Sequence, residues 1–126
     1  MLSATFQPTC LPKPNLENFS QRRYARQINL PEIGEAGQKK LAQAKVLLVG
    51  AGGIGSPCAL YLAAAGVGTV AIADHDRVDI SNLQRQILFE TNDIGIAKVQ
   101  SAKAALEDLN PDVVIEALEI KITPQN

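Results

Sequence analysis

Val46-Leu47-Leu48-Val49 runs without a break into Gly50-Ala51-Gly52-Gly53-Ile54-Gly55, and that junction narrows the possible folds more than any other stretch. Four consecutive apolar β-formers predict a strand covered on both faces, as in a parallel sheet packed between helices. Ser56 and Pro57 follow, and proline suits a first helical turn because its missing N–H would have no partner there. Residues 59–65 read as a helix of small side chains that can approach a sheet closely. Gly66 and Gly68 end it. Residues 69–73 predict a second strand ending at Asp74. A polar loop over 75–81 leads to a short helical turn at 82–89. Residues 96–109 predict an amphipathic helix stopped by Pro111, and Val113-Val114-Ile115 opens a third strand that fades by Ile120. Upstream, Ser20 is placed to cap a short helix through Arg26, and a second helix is expected at about 34–43. The fold class is therefore α/β: a Rossmann-like parallel sheet, incomplete, of about three strands with flanking helices.

Composition narrows the function. Twelve Lys and Arg against 13 Asp and Glu leave a net charge of −1, which argues against a nucleic-acid coat or a membrane-surface protein. No nucleic-acid or membrane partner is expected. Cys10 and Cys58 are too few for a disulfide scaffold or a zinc cage and read as reduced thiols of a cytoplasmic protein. Residues 1–20 are polar, carry Pro8, Pro12 and Pro14, and are expected to be a flexible N-terminal arm. Residues 21–126 are expected to form the domain.

Gly50, Gly52 and Gly55 match G-x-G-x-x-G between a strand and a helix, with Asp74 at the end of the next strand. The first glycine makes the turn, the second admits a phosphate to backbone N–H groups, and the third lets helix and strand pack closely. Asp74 can accept both ribose hydroxyls. This pattern predicts an adenine nucleotide with a free ribose and leaves NAD and ATP both open. A hydride-transfer site needs a flat apolar slot rather than a run of cations. Arg85, Lys98 and Arg26 are expected to gather at the mouth of the loop, which suits a triphosphate. His75 between Asp74 and Asp76 has the look of a metal site, but a solvated loop is the plainer reading, so no metal ligand is assigned. Cys58 is read as a packing residue.

R-Y-x-R-Q-I from Arg23, G-A-G-G-I-G from Gly50, A-G-V-G from Ala65, D-x-D-x-V from Asp74 and S-N-L-Q-R-Q from Ser81 occur in that order. With them the sequence resembles the N-terminal half of the MoeB/ThiF/HesA adenylyltransferases, relatives of ubiquitin-activating enzymes. The resemblance implies ATP-dependent adenylylation of the C-terminal carboxylate of a ubiquitin-like sulfur-carrier protein, of the molybdopterin or thiamin type, by a homodimer. It implies that Gly50, Gly52 and Gly53 contact ATP, that Asp74 binds ribose, and that Ser81, Asn82, Leu83, Gln84 and Arg85 line the nucleotide. Asn82, Arg85 and Lys98 would hold phosphates, and Arg26 would reach the partner subunit's ATP, making Arg26, Arg85 and Lys98 the catalytic set. A Mg²⁺-handling Asp and paired zinc-binding cysteines belong to the part of the family beyond residue 126. The chain alone is accordingly expected to be a truncated form, marginally stable or partner-dependent and slow to adenylate, with β-edge residues 46–49 open. A non-catalytic ATP-binding or dimerisation module is the alternative, and an NAD-dependent oxidoreductase domain a further one.

Overall fold

The structure, a computed structural model, describes residues 19–126. The arm expected over 1–20 lies, up to residue 18, outside the described residues. Helices α1 (Phe19–Arg23), α2 (Ala25–Ile28) and α3 (Gly34–Gln43) precede strand β1 (Lys45–Val49). Then follow α4 (Gly55–Ala65), β2 (Thr69–Ala73), α5 (Lys98–Leu109) and β3 (Val114–Leu118). The strands form one parallel sheet in the order β1-β2-β3, with Val46 beside Val70 and Val70 beside Ile115.

One face of this sheet carries the core. Val46, Val70 and Ile115 share a row, as do Leu48, Ile72 and Ala117. These rows join Ala59 and Ala63 of α4 and Val99, Ala102 and Leu106 of α5 in a single apolar cluster. The small residues of α4 are what let it lie close to the strands. On the opposite face Leu47 and Val49 are 54% and 66% exposed, and Val114 is exposed as well. Burial along β1 therefore alternates: its apolar run suits cover on both faces, and among the described residues helices cover one. Among the described residues β1 pairs only with β2, which leaves its other edge open.

The single N-terminal helix expected through Arg26 is two short helices, with Tyr24 between them at φ −101°, ψ 9°. The ring of Tyr24 is the reason. It is buried against Gly66, the C-cap of α4, where φ is +85° and an added Cβ would lie 2.6 Å from the ring. Asn110, fully buried, donates from Nδ2 to both the Tyr24 hydroxyl and the Ala63 carbonyl, each at 2.7 Å. Ser20, expected to cap, lies within α1, which begins at Phe19. Residues 96 and 97, expected in the last helix, instead pair with the loop after β2. Val78 N–H donates to the Ile96 carbonyl at 2.9 Å, and Arg77 bridges Ala97. That pairing delays the start of α5 to Lys98.

Candidate functional site

The glycine turn joins β1 to α4 at the carboxyl end of the sheet. Gly50 has φ +93°, a conformation that suits glycine, and its N–H donates to the Ala73 carbonyl at 2.8 Å. A Cβ on Gly55 would overlap the Gly50 carbonyl oxygen, so the third glycine is required by the close approach of helix and turn. Ser56, buried, donates its hydroxyl to the Ala51 carbonyl at 3.1 Å and ties the turn down. The N–H groups of Gly52, Gly53, Ile54 and Gly55 have no acceptor among the described residues. Gly55 opens α4 and the other three lead into it, at the helix end where the dipole adds roughly half a positive charge. The chemistry of the turn is that of an anion cradle.

Asp74 is buried beside it. Its two carboxylate oxygens accept the N–H of Ala51 at 2.8 Å and of Asp76 at 2.9 Å. Burial pushes this carboxyl up. The two amide hydrogen bonds, with smaller help from Lys98 and His75, outweigh burial and hold it below the ordinary carboxylate value. Lys98 opens α5 with its N–H on the Asp76 carbonyl at 2.9 Å and its ammonium 3.5 Å from Asp76 Oδ2. Its side chain is only 7% exposed. The β2 loop thus holds a nearly buried cation close to the glycine turn through backbone bonds. A cleft of about 280 Å³ opens there, lined by Val49, Gly50, Ala73, Asp74 and Ile120, among others.

Residues 80–86 approach from the other side. Ile80–Asn82 is one 3-10 turn, beginning two residues before the expected one, because Asp79 caps it. The Asp79 carboxylate accepts the Ser81 N–H at 2.8 Å and its hydroxyl at 2.6 Å. Asn82 Oδ1 in return accepts the Asp79 N–H at 3.1 Å. These bonds from Ser81 lower the Asp79 carboxyl below its ordinary value. An Asp followed three residues later by Asn was the available sequence signal for this cap. Arg85 lies along the turn: its Cδ and Cγ would be 3.6 and 3.7 Å from a Cβ on Gly53, and its guanidinium donates to the Ser81 carbonyl at 3.0 Å. Leu83 packs against the core, and Gln84 is exposed. Gln86, which sequence reasoning left out of the site, is buried next to Gly52.

Gly50, Gly52, Gly53, Asp74, Arg85 and Lys98 therefore converge. Arg26 does not join them. Its neighbour Gln27 donates to the carbonyl of Ala65, the last residue of α4, at 3.1 Å. α4 has 11 residues, so about 16 Å separates that point from the glycine turn, beyond the reach of one arginine. The expected gathering of three cations within one chain is corrected to two.

Asp74, His75 and Asp76 bring ligand atoms within 4.8 Å of one another. As a cation centre they fit poorly, since Asp74 faces two amides and Asp76 faces Lys98 and His75.

A parallel βαβ unit with an anion-binding turn, a carboxylate at the end of the second strand and two cations beside the turn is a Rossmann-like nucleotide-binding unit. The chain belongs to the ThiF family, whose family model matches residues 24–126. It is 43% identical over 125 residues to the probable adenylyltransferase/sulfurtransferase MoeZ of Mycobacterium tuberculosis, covering 99% of this chain and 32% of that protein. It is 54% identical over 101 residues to the sulfur carrier protein ThiS adenylyltransferase of Escherichia coli, covering 80% of this chain and 40% of that protein. Among solved structures it matches the Escherichia coli tRNA N6-threonylcarbamoyladenosine dehydratase TcdA in complex with ATP. That match has a TM-score of 0.81 and 28% identity, over 90% of this chain and 46% of that one. The chain spans about a third of the length of MoeZ and two fifths of the ThiS adenylyltransferase. No helix among the described residues is long and apolar enough to cross a membrane.

Proposed function

We propose that this chain is the ATP-binding part of a cytoplasmic adenylyltransferase that activates the C-terminal carboxylate of a ubiquitin-like sulfur-carrier protein. The observation that carries the reading is the convergence of four bare amides, Arg85 and the backbone-pinned Lys98 on one turn beside a buried, ionised Asp74. The relatives named adenylyltransferases support the choice of reaction.

In this reading the carrier carboxylate attacks the α-phosphorus of ATP. The bond from that phosphorus to the bridging oxygen breaks, and pyrophosphate leaves with the electron pair. No side chain need act as nucleophile, because the substrate carboxylate already is one. The chain holds the phosphates on the amides of residues 52–55, and Asp74 accepts the ribose hydroxyls. Lys98 and Arg85, helped by the side-chain amide of Asn82, offset the charge that grows on the leaving pyrophosphate. Ser81 acts indirectly, since its hydroxyl is held by Asp79. Arg26, exposed and remote from its own turn, serves the nucleotide of the second subunit in a homodimer. Mg²⁺ bound with ATP would supply further charge neutralisation, and the Asp74–His75–Asp76 set does not fit it as a ligand set.

Calorimetric titration of the full-length protein with ATP and with NAD tests the first half of this reading, and ATP–pyrophosphate exchange with a sulfur-carrier protein tests the second. ATP binding without NAD binding, and exchange that falls by two or more orders of magnitude in Lys98→Ala, are the expected results. Preference for NAD, or exchange unaffected by Lys98→Ala, would sink it.

A further inference from the structure

Asp76 joins the two halves of the site. Its N–H donates to Asp74 Oδ1 at 2.9 Å, and its carbonyl accepts the Lys98 N–H at 2.9 Å. Any residue could make those two bonds, because both use the backbone. The carboxylate does something else: Oδ2 lies 3.5 Å from the Lys98 ammonium, and Oδ1 lies 3.5 Å from Nε2 of His75. The His75 side chain is 53% exposed and that of Lys98 only 7%, so water screens the first contact from both sides and the second from the Asp76 side alone. Asp76 also lines the cleft beside Gly50 and Asp74, and Lys98 is not among the lining residues. The ammonium therefore meets the cleft through the carboxylate that holds it. A carboxylate beside a seat for phosphates repels a polyanion, which weakens ATP binding unless the carboxylate serves the reaction.

We propose that Asp76 is a positioning residue whose carboxylate withholds part of the Lys98 charge from bound ATP and yields it to the departing pyrophosphate. The inference rests on the adenylylation reading above and adds a residue to it. A cation that grips ATP and the transition state equally lowers KM without raising kcat. With Asp76 as a competing partner, Lys98 divides its charge between carboxylate and phosphates in the ground state. As the bond from the α-phosphorus breaks, the leaving oxygen gains negative charge and draws the ammonium away from Asp76. No proton moves, and neither side chain forms a covalent bond. With its N–H on the Asp76 carbonyl, Lys98 needs only to turn its stem. When pyrophosphate departs, Asp76 takes the ammonium back.

The test compares wild type with Asp76→Asn and Asp76→Glu in the full-length protein. It reads ATP affinity by calorimetry and kcat by ATP–pyrophosphate exchange with a sulfur-carrier protein. Asparagine keeps the size and both backbone bonds and removes the charge. ATP affinity in Asp76→Asn is expected to rise about threefold or more while kcat falls by about as much. Asp76→Glu, which keeps the charge, is expected to lie between Asp76→Asn and wild type on both measures. A residue that merely organised the loop would lose affinity and kcat together. That result, or ATP affinity in Asp76→Asn no higher than in wild type, overturns the proposal. On a Lys98→Ala background Asp76→Asn is expected to leave kcat unchanged, and a further fall there would mean that Asp76 acts without the lysine. Wild type that fails to bind ATP defeats the nucleotide reading and this inference with it. Wild type that binds and exchanges while Asp76→Asn binds no tighter defeats the inference alone. Should Asp76→Asn not fold, the isotope-labelled Lys98 ammonium signal of wild type decides. Movement on titration with inorganic pyrophosphate supports the change of partner, and an unmoved signal at saturating pyrophosphate refutes it.

Discussion

The two ends of the sheet use the same side chains in opposite ways. At the amino end, Gln38 is buried to 8% exposure and fully employed: its Nε2 donates to Ala65 at 3.0 Å, and its Oε1 accepts from Gln27 at 2.8 Å. At the carboxyl end, Gln86 is at least as buried, and its side-chain Oε1 has no hydrogen-bond partner among the described residues. Asn110 and Tyr24 repeat the first pattern, closing α1, α2, α4 and α5 onto one another. The bare amides of the glycine turn repeat the second. Gln38 and Asn110 show that this fold can supply partners to buried carboxamides. The bare amides of the turn are therefore where an anionic ligand can supply missing partners, while the carboxamide bonds of the amino end hold the frame still.

The largest effects should come from glycines whose missing Cβ makes room for backbone. Gly55→Ala forces a methyl onto the Gly50 carbonyl, and Gly68→Ala onto that of Ala42. Each is expected to destabilise by about 4 kcal/mol or to abolish folding, read as a shifted denaturant midpoint. Gly53→Ala meets only the flexible stem of Arg85 at ordinary contact distance. It should leave the fold near wild-type stability while weakening ATP. Equal losses for Gly53→Ala and Gly55→Ala would erase the distinction between a turn built for packing and one built for a ligand. Next in size is Asn110→Ala, which strands the Tyr24 hydroxyl in the core and leaves the Ala63 carbonyl with only the Gly66 N–H. A cost of about 3 kcal/mol is expected, with ATP affinity of the folded fraction unchanged. A change in affinity there would couple the two ends, contrary to the contrast drawn above.

Much of the fold was legible because its signals are local. Residues 34–43 and 69–73 have their expected limits, since helix periodicity and a β-branched run bounded by glycine and Asp need no distant partner. The glycine turn and Asp74 were legible because their spacing encodes one geometry. What failed depended on distance. Tyr24 breaks its helix because Asn110, 86 positions away, and Gly66 form its pocket. Arg26 belongs to the wrong end of the sheet because Gln27 fastens α2 to Ala65, which composition around Arg26 does not reveal. β1 reads as doubly covered because its sequence is uniformly apolar, yet only Val46 and Leu48 meet the core among the described residues. Gln86 was hidden because a glutamine beside an arginine looks like surface. Its burial is set by the turn that Asp79 caps.

A smaller effect separates the ends by pH. The Asp74 carboxyl lies below its usual value of about 3.8, so the folded state binds its proton less readily than the unfolded chain does. Stability from this group is complete above that usual value and is lost as pH falls through the lowered one. Asp74→Asn should therefore flatten the acid side of the stability profile below about pH 4 and leave it unchanged near pH 7 apart from a constant offset. An acid limb as steep in Asp74→Asn as in wild type would place the titrating carboxylate elsewhere.

The smallest effect comes from a second lysine on the same helix. Lys103 pairs with Glu107 at 3.7 Å, much like Lys98 with Asp76 at 3.5 Å, but its side chain is 42% exposed against 7%. An exposed pair one helical turn apart stabilises by about 0.3 kcal/mol and is screened by salt. Lys103→Ala should thus move the denaturant midpoint barely beyond error and leave ATP affinity intact, whereas Lys98→Ala lowers ATP affinity. The two ion pairs differ little in length, so an equal response from both would mean that distance alone sets their worth. Unequal responses would trace the difference to burial and to which end of the sheet each lysine serves.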